Sequence, residues 1–434
     1  MTLSFSKHTL ANGLDVVLHE DRDCPIIAVN IWYHVGSKNE RPGHTGFAHL
    51  FEHLMFEGSQ HHDHGYFQPL QGAGGTLNGS TNADRTNYWE VVPANAFELA
   101  LWMESDRMGF LLPALTEAKF NNQRDVVLNE RRQNYENRPY GLAPMATLAA
   151  LFPPDHPYHW TTIGEIEDLK AVQLDEVMAF FERYYHPANA SIAIAGDIGA
   201  EEALDLVDRY FGDIRPGQPV SAVRAAATLA SDVRVFLEDR VELPRLYLAW
   251  LTPAMFAEGD ADLDLANDLL ANGKSSRLYR RLVFDERIAT DVHASQNSRE
   301  IAGYTQVVAT AAPGHTLSEI EAIVIEEIAR LAATGPTAEE MERGRAQAES
   351  QFIFRLQTVG GFGGKSDQLN AYNVFLHDPA YFDRDLARYR SVTAESMRST
   401  VQRYLDPAAR VTLSIVPRGR LELAAAGSAP IAVS

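Results

Sequence analysis

The chain has 434 residues, 45% of them hydrophobic and 22% charged, with a formal net charge of −20. That length accommodates two to four domains of ordinary size, and the composition is that of a globular protein rather than a disordered one. The acidic balance argues against nucleic acid as a partner, since a phosphate backbone attracts basic surfaces. Cys24 is the only cysteine, so no internal disulfide forms, which suits a reducing compartment. The start, Met1 to His8, has no apolar run after a positive segment, and no stretch of 18 apolar residues follows. The expectation is a cytoplasmic chain with neither signal peptide nor membrane span, with the periplasm as the alternative.

In chain order, the first chemically marked element is the helix that carries residues 49–53. Gly43 and Gly46 precede it, Phe47, Leu50, Phe51, Leu54 and Met55 form an apolar face, and Gly58 ends it. It carries His49-Leu50-Phe51-Glu52-His53. Residues four apart share a helix face, so the two imidazoles converge on one ion. Zinc takes neutral imidazole and carboxylate, and a catalytic site uses three protein ligands plus a water. Glu52 lies close to the same face, where a carboxylate can take a proton from a water that zinc acidifies. The third ligand has to come from elsewhere. The helical segment Gln123 to Glu130 offers Glu130, with Glu136 as the second candidate, and spacing alone does not choose. The run Gln60-His61-His62-Asp63-His64 reads as an adventitious surface cluster in a loop. Phe67, Tyr88 and Trp89 read as core aromatics.

Further along, two stretches about 220 residues apart look alike. Arg183-Tyr184-Tyr185-His186-Pro187-Ala188 precedes the alternating run Ala190 to Ala195. Arg403-Tyr404-Leu405-Asp406-Pro407-Ala408 precedes Val411 to Val416. Both read as a helix end, a proline turn and a strand. Earlier in each half, Glu20-Asp21-Arg22 with Pro25, and Glu238-Asp239-Arg240 with Pro244, introduce apolar strands. Amphipathic helices run from Leu174 to Tyr185 and from Glu319 to Ala333. The implied architecture is α+β: two homologous domains, each a largely antiparallel sheet with helices on one face. Residues 1–216 form a catalytic, zinc-binding domain, 217–232 a linker, and 233–434 a homologous domain without a metal site. Gly360-Gly361-Phe362-Gly363-Gly364 lacks the spacing of a phosphate loop and reads as a flexible loop touching substrate or partner.

These residues resemble the pitrilysin/insulinase family of zinc peptidases, in the branch of the mitochondrial processing peptidase and its bacterial relatives. The inverted His-x-x-Glu-His is the family's signature. Gly74-Gly75-Thr76-Leu77-Asn78-Gly79-Ser80-Thr81 and Thr86-Asn87-Tyr88 resemble its substrate-side strand. Val126-Val127-Leu128-Asn129-Glu130 resembles its second zinc motif, with 76 residues between His53 and Glu130. His156-Pro157-Tyr158, Ile163-Gly164 and Ala195-Gly196-Asp197 match later landmarks. The resemblance implies one Zn²⁺ per chain held by His49, His53 and Glu130, with Glu52 as general base. It implies two similar domains enclosing a cavity, and a substrate peptide bound in extended form along Asn78, Gly79, Ser80 and Thr81 as an added strand.

Two departures from the family pattern stand out. Gln123 occupies the position of a glutamate that supports the site from behind the ligands; an amide hydrogen-bonds there without lending charge. After Ser276-Arg277-Leu278-Tyr279, where active relatives carry an arginine and a tyrosine that grip substrate and steady the oxyanion, this chain has Val283 and Thr290. Arg281 and Arg287 are near but out of register. Aligning the halves through Gly58 and Gly273 sets Asp264, Asn267 and Asp268 opposite His49, Glu52 and His53, and aligning Thr116 with Thr337 sets Gln351 opposite Glu130. The expected protein is a metalloendopeptidase for short unstructured peptides. Its expected partner is a homologous subunit supplying the Arg/Tyr pair, a heterodimer, with a homodimer as the alternative assembly and neither nucleic acid nor membrane as partner. The competing readings are a processing protease for one leader peptide, a non-catalytic binding or assembly subunit, and a site loaded with Mn²⁺ or Co²⁺.

Overall fold

The computed structural model describes residues 3–433. Two six-stranded sheets organise the chain. The first contains β1 (Ser6–Thr9), β2 (Asp15–Glu20), β3 (Ile26–Tyr33), β4 (Thr76–Thr81), β5 (Thr86–Pro93) and β6 (Ala190–Gly196). Its order is β1-β2-β6-β3-β5-β4, antiparallel throughout except for the parallel pair β2–β6. The second contains β7 (Val233–Asp239), β8 (Arg245–Thr252), β9 (Ala289–Asn297), β10 (Gly303–Ala311), β11 (Val411–Pro417) and β12 (Ala429–Pro430). Its order, β12-β7-β11-β8-β10-β9, repeats the first with β11 in the place of β6. The parallel β7–β11 and antiparallel β8–β11 pairs match β2–β6 and β3–β6.

The internal repeat now has a physical meaning. β6 and β11 are the central strands, buried on both faces save for Pro417, which is why Ala190 to Ala195 and Val411 to Val416 carry almost no charge. Each is fed by an amphipathic helix, Leu174–Tyr184 in one case and Ala394–Tyr404 in the other. The helix expected from Glu319 to Ala333 runs from Leu317–Thr334, opened by a capping box in which Thr316 and Glu319 bond each other's backbone.

Residues gather into two compact units that are discontinuous in sequence. One comprises 1–129, 162–223 and 351–385; the other comprises 130–161, 224–350 and 386–434. In the first unit the helix Lys365–Leu376 packs on β6 and β3, with Leu369 against Val17 and Ala193. Its Asn370 donates to the Asn30 carbonyl at 2.7 Å and accepts from Ser191 at 2.7 Å. In the second unit the helix Ala143–Leu151 packs on β11 and β8. Each sheet therefore takes a helix from the sequence surrounding the other sheet. The helix Glu117–Arg131 begins in the first unit, and its last two residues open the second. Among the described residues no helix is long and apolar enough to cross a membrane.

Candidate metal centre

The motif helix spans Phe47–Leu54. It starts where it does because Gly46 is left-handed, at φ 89°, a region other residues adopt only at a cost. A Cβ there would also lie 2.8 Å from the Ile163 carbonyl and from Leu169. Glu40 accepts from the backbone of Gly46 at 3.0 Å and of Ala48 at 2.9 Å, setting a carboxylate on the unpaired N–H groups of the first turn. Phe47, Ala48, Leu50, Phe51 and Leu54 are buried. Phe51 is fully enclosed against Phe180, Phe181 and Tyr185. This anchoring leaves His49, Glu52 and His53 half-buried on the remaining face.

The His49 and His53 rings lie 4.9 Å apart and nearly perpendicular. Glu130, on the last turn of Glu117–Arg131, joins them: one ligand atom from each of the three residues falls within 4.8 Å of the others. Donors around a tetrahedral zinc sit about 3.3 Å apart, a closure within reach of side-chain torsions. Two imidazoles and one carboxylate, half-buried and leaving the fourth position to a solvent molecule, are a donor set that fits Zn²⁺. Asn134 donates to Glu130 at 3.3 Å and Tyr135 lies close enough to feel its charge. Glu136, the other candidate, accepts from Arg131 at 3.1 Å instead.

Gln123 is buried, and its amide donates to Glu57 at 2.6 Å. It thus ties the glutamate helix to the turn that ends the motif helix. The loop histidines are not a metal group: His61 bonds Asp106 at 2.5 Å, Ser59 donates to the same carboxylate, and Asp63 pairs with Lys119. Among the described residues His49, His53 and Glu130 are the one such cluster. In the second unit, Asp264 accepts from Tyr389 at 2.5 Å and Asn267 bonds Thr305 and the Leu263 carbonyl. Arg281 is engaged by Glu286, Glu326 and Glu327, Val283 packs on the hydrophobic core, and Thr290 donates to Asp291.

β4 forms one edge of its sheet. The turn closes with Asn82 N–H donating to the Arg85 carbonyl at 3.0 Å, and the register pairs Ser80 with Asn87 and Asn78 with Trp89. Bonded and non-bonded pairs alternate in an antiparallel ladder, so Leu77, Gly79 and Thr81 turn their backbone groups to the free edge. The Gly79 N–H is capped by the Asn78 side chain at 2.8 Å.

A buried charge group, unmarked by any motif, underlies this region. Arg107 is 1% exposed, stacks 4.1 Å from the Tyr66 and Tyr88 rings, and pairs with Glu104 and more distantly with Glu90. Burial first, then the adjacent Glu104, pushes Glu90 well above the usual carboxylate range. The available signal was the polar run Glu104, Ser105, Asp106 and Arg107 in the middle of the helix Phe97–Phe110, between apolar residues on both sides.

Two family models match the chain: "Insulinase (Peptidase family M16)" over residues 15–153 and "Peptidase M16 inactive domain" over 171–348. The zinc protease PqqE of Helicobacter pylori is 27% identical over 362 residues, 82% of this chain and 81% of its own. The probable mitochondrial-processing peptidase subunit beta of Arabidopsis thaliana is 24% identical over 412 residues, covering 92% and 75%. A crystal structure of a protease from Helicobacter pylori superposes with a TM-score of 0.88 at 24% identity, over 96% of this chain and 100% of that one. The M16 inactive-domain structure from Pseudomonas fluorescens gives 0.86 at 17% identity, over 99% and 100%. With the duplicated sheet, the inverted histidine motif and these matches together, the chain belongs to the pitrilysin/insulinase family, peptidase family M16.

Proposed function

We propose that the chain is the zinc-bearing subunit of a metalloendopeptidase that cuts short, unstructured peptides. The observation that carries this reading is the convergence of His49, His53 and Glu130, with Glu52 on the same face of the motif helix. The names of its relatives, zinc proteases among them, support it. When bound, zinc acts as a Lewis acid and lowers the pKa of a water towards neutrality. His49, His53 and Glu130 would hold it. The Glu52 carboxylate takes the proton from the attacking water and delivers it to the leaving amide nitrogen. The peptide is held as a strand along the free edge of β4, where Gly79 and its neighbours present backbone groups. Its first carbonyl at Gly79 displaces the Asn78 side chain from that N–H.

The chain is short of oxyanion donors of its own at Val283 and Thr290, and Arg281 is committed to three carboxylates. A homologous subunit supplying an arginine and a tyrosine completes the machinery in this reading. Removing one oxyanion donor from a hydrolase costs about 10²–10³-fold in turnover. Zinc-loaded chain alone is accordingly a weak peptidase, stimulated by a co-expressed homologue that carries the pair. Glu52→Gln is the test: zinc stays bound while turnover falls to background. Retained hydrolysis in that variant rules the mechanism out.

A further inference from the structure

The glycine-flanked loop over the first sheet has a defined base and an exposed apolar tip. At the base, Lys365 N–H donates to the Thr358 carbonyl at 2.9 Å and Ser366 N–H to the Val359 carbonyl at 3.0 Å. Asp367 accepts from the Gly363 backbone at 2.8 Å with one oxygen. With the other it accepts from Asn30 at 3.2 Å, Trp32 at 2.9 Å and Asn87 at 3.1 Å. Gly360 lies so flat on the sheet that a Cβ would fall 2.5 Å from that of Ala28 and 2.6 Å from Val91. At the tip, Phe362 stands edge-on to Trp89, ring centroids 5.4 Å apart at 85°, yet remains 51% exposed. The loop thus presents a half-exposed aromatic ring on a fixed base.

The sheet register shows what lies beside it. Residues directly opposite in an antiparallel pair share a face. Trp89 pairs with Asn78 of β4 on one side and with Asn30 of β3 on the other, so Phe362, Trp89, Asn78 and Ser80 belong to one face of the sheet. The motif helix belongs to the other face, where Phe56 covers Gly79 and meets Tyr88 edge-on. Asn78 is exposed and short, and its side chain is folded back onto the Gly79 N–H.

We propose that Phe362 and Trp89 form an apolar subsite that selects an aromatic or large aliphatic side chain in a peptide paired along β4. The proposal rests on the peptidase reading for the peptide's position. A strand added to β4 lies about 4.8 Å beyond it and turns every second side chain to this face. The residue opposite Asn78 meets the Phe362 ring, while its neighbours, directed to the other face, meet the motif helix. Backbone pairing tolerates any sequence; this subsite adds preference at one position. The glycines on both sides of Phe362, with Gly361 and Gly363 at positive φ, let the ring adjust without disturbing the anchored base.

The test measures binding apart from chemistry. Ten-residue peptides of Ala, Ser and Lys, each with one Phe, Leu, Ala or Asp placed at successive positions, carry a terminal fluorophore. Their affinity for the Glu52→Gln chain is read by anisotropy. Phe and Leu are expected to bind about tenfold tighter than Ala at one position, a discrimination typical of an apolar pocket. Phe362→Ala should cut that ratio to about twofold without weakening the Ala peptide, and Phe362→Leu should restore most of it. A ratio unmoved by Phe362→Ala, no preference at any position, or no binding by any peptide overturns the subsite. Selective binding without hydrolysis by the zinc-loaded wild type, even when co-expressed with a homologue that carries the arginine and tyrosine, overturns the peptidase reading and leaves the subsite standing.

Discussion

Asp264 sits in the second unit where the alignment of the halves places His49 in the first, and it offers a sharp test of how that unit is held together. It lies among Asp260, Asp268, Tyr389 and Arg388 on the helix Asp260–Ala271 and the segment that follows Leu386. Burial is the dominant influence and pushes its carboxyl up from 3.8 to about 7. The Tyr389 hydroxyl and Arg388 pull the other way, and the two neighbouring aspartates add to the rise. A carboxyl raised on folding binds more protons in the native state, so its contribution turns unfavourable as pH climbs from about 4 and levels off above about 7. The full penalty above pH 7 is about 4 kcal/mol, and about 2–3 kcal/mol of it accrues between pH 5 and pH 8. Asp264→Asn keeps an acceptor for Tyr389 and removes the charge. The variant should therefore melt higher than wild type at pH 8, and the gap should shrink by about 5–10 °C on going to pH 5, given roughly 2–4 °C per kcal/mol for a unit of this size. Differential scanning calorimetry at both values reads this directly. An Asp264→Asn chain that melts lower at pH 8, or a gap independent of pH, refutes the picture of a buried neutral carboxyl.

Other perturbations follow from the same contacts. Arg107→Met leaves Glu104 buried without its cation and should cost about 3–5 kcal/mol, seen as a fall in Tm of roughly 10 °C; a fall under about 2 °C would show the buried group to be dispensable. Gly46→Ala forces a side chain into left-handed backbone 2.8 Å from Ile163, so the start of the motif helix shifts and zinc affinity measured by competition with a chelator should drop; unchanged affinity would mean the helix start does not set the histidines.

What could be read from the amino acids depended on the range of the interaction. His49 and His53 were legible because four residues on a helix is a local geometry, and the apolar face of Phe47, Leu50, Phe51 and Leu54 orients them. Glu130 was not legible from spacing, being one carboxylate among many on a polar helix; only the family resemblance selected it, and in the structure one of its ligand atoms lies within 4.8 Å of those of His49 and His53. The repeated sheet was legible because central strands buried on both faces read as apolar runs. The packing of Lys365–Leu376 on β6 was not, since it depends on Asn370 meeting Asn30 some 340 residues away. Arg281 shows the converse: close in sequence to the expected position, it is spent on Glu286, Glu326 and Glu327, partners that no motif announces. Likewise Asp367, unremarkable in sequence, gathers three side-chain donors from β3 and β5 and so fixes the loop that carries Phe362.

The central claim is that His49, His53 and Glu130 together make one zinc site. Metal analysis of purified wild type, His53→Ala and Glu130→Gln after dialysis against submicromolar zinc tests it most directly. The account predicts one zinc per wild-type chain and near-complete loss in both variants with the fold retained by circular dichroism; a Glu130→Gln chain that keeps its full complement of zinc would contradict it.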